Sequence, residues 1–179
     1  MRIICGSRRG KKIIAPENLP VRPTTDFAKE SIFNILNNYF NFDAVHVLDL
    51  CAGSGNISYE FASRGALSVT AIDNNAHCAA FIKKTAKELH FDAISVFNVE
   101  CLAFLKTAKM KFNIIFADPP YDWNNYAAIP ELVFSNNLLL PDGFLVIEHP
   151  KEIAFKEHPK FYQQRVYGKV NFSIFAENL

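Results

Sequence analysis

Val47-Leu-Asp-Leu-Cys-Ala-Gly-Ser-Gly-Asn-Ile-Ser58 is the stretch whose reading decides the fold. An apolar run that carries Asp49 reads as a buried strand, Ala52-Gly53-Ser54-Gly55 as a small-residue loop, and a helix starts near Asn56. A strand–glycine loop–helix unit suits a nucleoside-containing cofactor. Its glycines let the backbone turn sharply and let a ligand approach closely. The helix N-terminus offers N–H groups and partial positive charge. As a dinucleotide fingerprint, G-x-G-x-x-G/A, the match is imperfect, because Ser58 stands at the third small position.

Outward from this unit the pattern alternates. Val45–Leu50, Leu67–Asp73, Ile94–Val99, Phe112–Ala117 and Phe144–Glu148 read as strands, with helices at 56–64, 75–89, 101–108 and near 126–134. Repeated βα units predict a parallel sheet covered on both faces. Phe161–Tyr167 and Val170–Ala176, separated by Gly168-Lys169, predict an antiparallel C-terminal hairpin. Upstream, residues 2–5 and 11–15 read as a β-hairpin around Gly6-Ser-Arg-Arg-Gly10. A helix is expected over 26–40, capped by Thr25 or Asp26, with Ala28, Ile32, Ile35, Leu36 and Tyr39 on its apolar face.

The 179 residues are expected to form a single domain, with 1–25 a basic hairpin and connector and 26–179 the cofactor-binding core. Half the residues are apolar, which excludes a disordered chain. No apolar run has the length of a membrane span, and the N-terminus lacks a signal-peptide pattern. A cytoplasmic location is therefore expected. The four cysteines form no C-x-x-C pair and the five histidines show no ligand spacing, so reduced thiols and no metal site are expected. Net charge is only +1, yet Arg2, Arg8, Arg9, Lys11 and Lys12 fall together without one acid. That cluster is either a phosphate-contacting patch or a solvated hairpin tip.

Acidic residues end successive strands, where ligands of an open parallel sheet sit. Asp49 suits a cation rather than a pyrophosphate. Asp73 lies twenty residues past Gly53, placed to accept from ribose hydroxyls. Glu100 follows the third strand; each such acid can alternatively cap the next helix. Asp118-Pro-Pro-Tyr121 follows the fourth, and its prolines fix a rigid loop at the working edge. Asp118 is an acceptor and Tyr121 an aromatic platform for a base. Trp123 and Tyr126 line that pocket or cover the sheet edge.

The Asp49–Gly55 pattern resembles motif I of class I S-adenosylmethionine-dependent methyltransferases, and Asp118–Tyr121 resembles the motif IV of those acting on exocyclic amines of nucleobases. The mostly parallel sheet with its closing hairpin is similar to the Rossmann-like sheet of that class. Arg2-Ile-Ile-Cys-Gly-Ser-Arg-Arg-Gly-Lys-Lys12, Arg22-Pro-Thr-Thr-Asp26, Glu30–Leu36, Ser63-Arg-Gly-Ala66 and Tyr167-Gly168 extend the resemblance along the chain to the RsmD family of bacterial 16S ribosomal RNA guanine-N2 methyltransferases. The resemblance implies S-adenosylmethionine as cofactor, held by Asp49, Ala52, Gly53, Ser54, Gly55 and Asp73, with Glu100 and the Cys101 N–H at the adenine. It implies catalysis by Asp118, the carbonyl of Pro119 and Tyr121. It implies RNA contacts from Arg8, Arg9, Lys11, Lys12 and Arg22 that help close over the cofactor, with 16S rRNA in the small subunit as partner. A monomer is the default from size and fold.

Two departures stand out. Cys51 replaces a common Phe, a change expected to be buried, and Phe27-Ala-Lys29 replaces Arg-x-Arg. Three other readings compete. An adenine-N6 methyltransferase of DNA or RNA shares the tetrapeptide, although DNA enzymes usually need a larger target-recognition domain. An NAD-dependent oxidoreductase has no use for Asp118–Tyr121. A non-catalytic RNA-binding module predicts an eroded cofactor loop.

Overall fold

The computed structural model describes residues 1–17, 19 and 25–177; Arg22 lies outside the described residues. Seven strands form one sheet: β1 (His46–Leu50), β2 (Ser68–Asp73), β3 (Ile94–Asn98), β4 (Phe112–Ala117), β5 (Leu139–His149), β6 (Phe161–Tyr167) and β7 (Val170–Ala176). Their order is β3-β2-β1-β4-β5-β7-β6. The first five are parallel, and β7 is antiparallel to both its neighbours. The helices are α1 (Asp26–Leu36), α2 (Asn56–Ser63), α3 (Ala76–Glu88), α4 (Cys101–Thr107) and α5 (Ala128–Ser135). This is the expected α/β sheet with its antiparallel end.

Side chains alternate across the strands and fill two main cores. Val47, Val69, Ile114, Phe116, Phe144 and Val146 face α1 and α2. Leu48, Leu50, Ile115, Leu145 and Ile147 face α4 and α5. Burial on both faces explains why the central strands read as unbroken apolar runs.

Three expectations are corrected. Helix α1 stops at Leu36, not 40, with Asn37 as its C-cap. Beyond it Tyr39 leaves the helix to pack on Phe144, ring centroids 4.9 Å apart, and to share a hydrogen bond with the Tyr162 hydroxyl. Strand β5 begins at Leu139 rather than Phe144, across a register shift opposite Phe112 and Ile114. The N-terminal hairpin keeps a single bridge, Arg2 with Lys12, instead of two strands. Met1 and Ile3 still bond across it to Ile13, Lys11 and Gly10, but beyond them the N–H groups of Ile4 and Cys5 donate to the Glu60 carboxylate at 2.8 and 3.0 Å. Gly6, at φ +84°, lies so close to α2 that a Cβ would sit 1.8 Å from the Ser63 carbonyl oxygen.

Glu60 also holds two cations. Lys29 Nζ lies 3.4 Å and Arg64 Nε 2.8 Å from its oxygens, and the Lys29 and Glu60 side chains are fully buried. Lys29 further donates to the Arg2 carbonyl at 2.6 Å and to Asn56 Oδ1 at 2.8 Å. Burial lowers the Lys29 pKa, and the charge of Glu60 opposes that shift. Removing one partner of such a group strands the others. Glu60→Ala is therefore expected to cost roughly 3–5 kcal/mol in urea unfolding. It should also expose residues 1–12 to proteolysis before the sheet unfolds.

Candidate active site

A cavity of about 540 Å³ opens at the carboxyl ends of the parallel strands. Its size suits a nucleoside-containing ligand. Asp49, Asp73, Asp118 and Glu148 all line it, from β1, β2, β4 and β5 or the residues just after them. The expected loop residues Ala52, Gly53 and Ser54 also line it, as do Glu100, Cys101, Pro119 and Tyr121. The sequence-predicted cofactor and acceptor residues thus share one space.

Asp49 is 1% exposed and accepts a hydrogen bond from the Ser58 hydroxyl. The residue that spoils the dinucleotide fingerprint therefore holds the carboxyl of motif I. Burial pushes the Asp49 carboxyl up to about 7 against the pull of Ser58, with the charge of Asp73 adding to the rise. Asp73 accepts from the Gly53 N–H at 2.7 Å and the Asn75 N–H at 2.8 Å, one on each oxygen. Burial raises its pKa, and those N–H groups oppose the rise. Gly53 and Gly55 both have positive φ, 56° and 80°. Gly55 does not line the cavity. It is needed beneath Tyr59, whose ring a Cβ would meet at 2.7 Å. It is also the N-cap of α2, with no side chain to satisfy the first-turn N–H groups.

Glu100 lines the cavity, but its carboxylate caps α4, accepting from the Leu102 and Ala103 N–H groups at 3.1 and 2.8 Å. Against a desolvation that would raise it, these bonds hold the Glu100 pKa below its ordinary value. Cys51 is corrected from buried to cavity-lining and half-exposed, with φ 58°. A hydrogen bond with Cys101, then burial, pushes its thiol well up, so it rests protonated rather than as a nucleophile.

The Asp118-Pro-Pro-Tyr121 loop is held from behind. The Tyr126 hydroxyl, on a 2% exposed residue, donates to the carbonyls of both Pro119 and Pro120 at 3.1 Å. Tyr126 therefore buttresses the loop, while Trp123 lines the cavity and packs edge-on against Tyr126, centroids 5.7 Å apart. The Tyr121 hydroxyl donates to Glu148 Oε1 at 3.2 Å. Sequence reasoning missed Glu148 and Lys169. Both line the cavity, Lys169 from the β6–β7 turn.

None of Arg8, Arg9, Lys11 and Lys12 lines the cavity. The Arg8 N–H bonds Ser63 Oγ and its Nε donates to the Leu89 carbonyl, so the loop tip rests on the C-terminal ends of α2 and α3. Those ends lie at the opposite edge of the sheet from the cavity. Of the two segments expected to close over the cofactor, this tip stays off the cavity, while Thr25, at the end of the Arg22–Thr25 segment, lines it. Among the described residues, no group of three or more His, Cys, Asp or Glu is disposed to hold a metal ion, and no helix is long and apolar enough to cross a membrane.

Residues 1–176 match the family described as conserved hypothetical protein 95. A Haemophilus influenzae protein named ribosomal RNA small subunit methyltransferase D is 30% identical over 181 residues, covering 98% of this chain and 93% of its own length. The Escherichia coli protein of the same name is 29% identical, covering 98% and 89%. A solved Escherichia coli structure, yhhF, superimposes with a TM-score of 0.84 at 28% identity, covering 98% of this chain and 96% of its own.

The raised Asp49 carboxyl makes a paired prediction. Between its ordinary 3.8 and about 7 the folded chain holds a proton that the unfolded chain has released, so stability falls as pH rises through that window. Asp49→Asn keeps an acceptor for Ser58 and is expected to raise the melting temperature at pH 8 by several degrees. The same change should weaken S-adenosylmethionine binding, measured by calorimetry. In the unaltered protein, affinity for that cationic cofactor should fall below pH 7 by up to about tenfold per unit, a slope that Asp49→Asn abolishes.

Proposed function

The chain belongs to the conserved hypothetical protein 95 family and is RsmD-like, an S-adenosylmethionine-dependent methyltransferase; we propose that its substrate is 16S ribosomal RNA of the small subunit and its acceptor the exocyclic N2 amine of a guanine. One observation carries the reading: the motif I loop and Asp118–Tyr121 open into the same cavity. The relatives named for small-subunit RNA cover nearly the whole chain, and the N-terminal motifs resemble theirs.

The residues present fit the cofactor. The buried Asp49 carboxyl suits its positive charge, Asp73 has acceptor positions for ribose hydroxyls, and the first turn of α2 offers N–H groups. S-adenosylmethionine supplies a methyl group made electrophilic by a sulfonium. Asp118 and the Pro119 carbonyl accept the two N–H bonds of the target amine, whose lone pair is otherwise delocalised into the ring. That pairing would favour a pyramidal nitrogen oriented for attack, and the bound cofactor would supply the methyl group, its sulfur keeping the pair of the carbon–sulfur bond. The surplus proton on nitrogen passes to Asp118 and then to solvent. Tyr121, held by Glu148, stacks on the base, which must leave its own stack to arrive. We further read the chain as a monomeric, single-domain, cytoplasmic enzyme.

With labelled cofactor and small subunits from cells lacking this gene, label is expected in N2-methylguanosine after digestion; label in N6-methyladenosine would overturn the base assignment. Asp118→Ala should lower turnover at least a hundredfold and leave cofactor affinity within about twofold. Replacing Arg9, Lys11 and Lys12 by Ala should reduce the salt slope of RNA binding by about one for each phosphate that is no longer neutralised. An unchanged slope would make the N-terminal loop a solvated surface.

A further inference from the structure

We propose that Glu148 is the specificity residue of the acceptor pocket and reads the N1–H of the target guanine; the inference rests on the guanine reading above. Strands β4 and β5 run parallel with Ala117 opposite Ile147. The next residues, Asp118 and Glu148, are therefore level with each other, on strands about 4.8 Å apart. Phe116 and Val146, two residues earlier on each strand, face the same core, so alternation sends both acids to one side. Both line the cavity, and Glu148 is 4% exposed. The Tyr121 hydroxyl donates to its Oε1 at 3.2 Å, so the carboxylate lies beside the aromatic platform of the same pocket. A carboxylate has about four acceptor positions, and the Tyr121 hydroxyl takes one of them.

The chemistry selects one base. Guanine presents N1–H and N2–H as neighbouring donors on its Watson–Crick edge. Adenine presents a donor amine beside a bare N1 acceptor. Two carboxylates side by side match the first pattern: Asp118 takes the reacting amine and Glu148 takes N1–H. With adenine, the N1 lone pair would face a buried carboxylate, and the pair would repel. Asp118–Tyr121 is compatible with either amine; Glu148 is not.

The test uses guanosine and 2-aminopurine riboside as competitors of methyl transfer to undermethylated small subunits. Both carry the 2-amine, and only guanosine carries N1–H. Guanosine is expected to inhibit the unaltered enzyme at least tenfold more strongly. Glu148→Gln can donate to a bare N1 and should erase or reverse that preference, with cofactor affinity unchanged. Tyr121→Phe, which removes the hydroxyl but leaves the carboxylate, should keep it. Glu148→Asp, which keeps the charge with a shorter reach, should keep the preference while weakening guanosine. Equal inhibition by the two nucleosides, no inhibition by guanosine at millimolar concentration, a preference unmoved in Glu148→Gln, or its loss in Tyr121→Phe would each overturn the assignment. Failure of the guanine reading itself shows separately, as a product other than N2-methylguanosine from the unaltered enzyme.

Discussion

A buried ammonium, Lys29, ties the N-terminal segment to the sheet. Its partner Glu60 accepts from Arg64 and from the backbone of Ile4 and Cys5, and Lys29 itself donates to the Arg2 carbonyl and to Asn56. Three pieces of chain, the N-terminal segment, α1 and the end of α2, thus meet at one carboxylate. Such a group contributes little net stability against an apolar alternative, because each charge loses its hydration. What it supplies here is placement. Asn56 starts α2 and lines the cavity, so the segment that precedes α1 and the loop that faces the cofactor share an anchor. The same fact settles Lys29 against contact with RNA. It stands where relatives commonly carry an arginine, and its side chain has no solvent exposure.

The cavity concentrates acids in a chain of net charge +1. Asp49, Asp73, Asp118 and Glu148 crowd one edge because four neighbouring parallel strands end there. Like charges with little water between them disfavour full ionisation, and Asp49 registers that: burial drives its pKa up and Asp73 adds to it. A ligand bringing positive charge relieves the repulsion, and a pyrophosphate would worsen it. The oxidoreductase reading fails on this ground as well as on its missing third glycine. The cost of the unliganded acids is borne by the core around them, in which the central strands are almost wholly buried.

The sheet was legible because its order follows from apolar runs and from glycines and prolines at their ends. Motif I and Asp118–Tyr121 were legible for the same reason, since each joins a run to a local backbone constraint. What escaped depends on neighbours distant in sequence. Ser58 reads as a defect in a fingerprint, and only the fold puts its hydroxyl on Asp49. Glu148 lies one residue inside the end of β5, before His149-Pro150, in a stretch that matches no motif, and Lys169 sits in a two-residue turn that reads only as a turn. Residues 2–5 carried a strand pattern, but pairing stops at Ile3, and Glu60 takes the N–H groups of Ile4 and Cys5. For Glu100 the sequence offered two roles, and its carboxylate both caps α4 and lines the cavity; Tyr126 donates to the proline carbonyls behind the loop, a bond between residues that no motif links.

The distribution of positive charge constrains how RNA can approach. Arg8 is tied to Leu89, and Arg2 pairs with Asp26 at 3.2 Å, so the basic run is less available than its composition suggests. Arg9 is exposed at the tip, by the C-terminal end of α2, whereas Lys11 and Lys12 are exposed nearer the cavity end: Lys12 bridges Arg2, whose carbonyl accepts from Lys29, which also bonds the cavity-lining Asn56. Eight residues of helix span about 12 Å. That puts the tip a few phosphates from a base in the pocket, too far for Arg8 and Arg9 to hold the reacting nucleotide itself. Among the described residues, Lys169 is the cation that lines the cavity, and beside it Tyr167 meets the exposed ring of Phe27 edge-on, centroids 5.9 Å apart. On the proposed reading, a flipped nucleotide enters past Lys169 and the Phe27–Tyr167 pair, while the N-terminal loop takes backbone farther along.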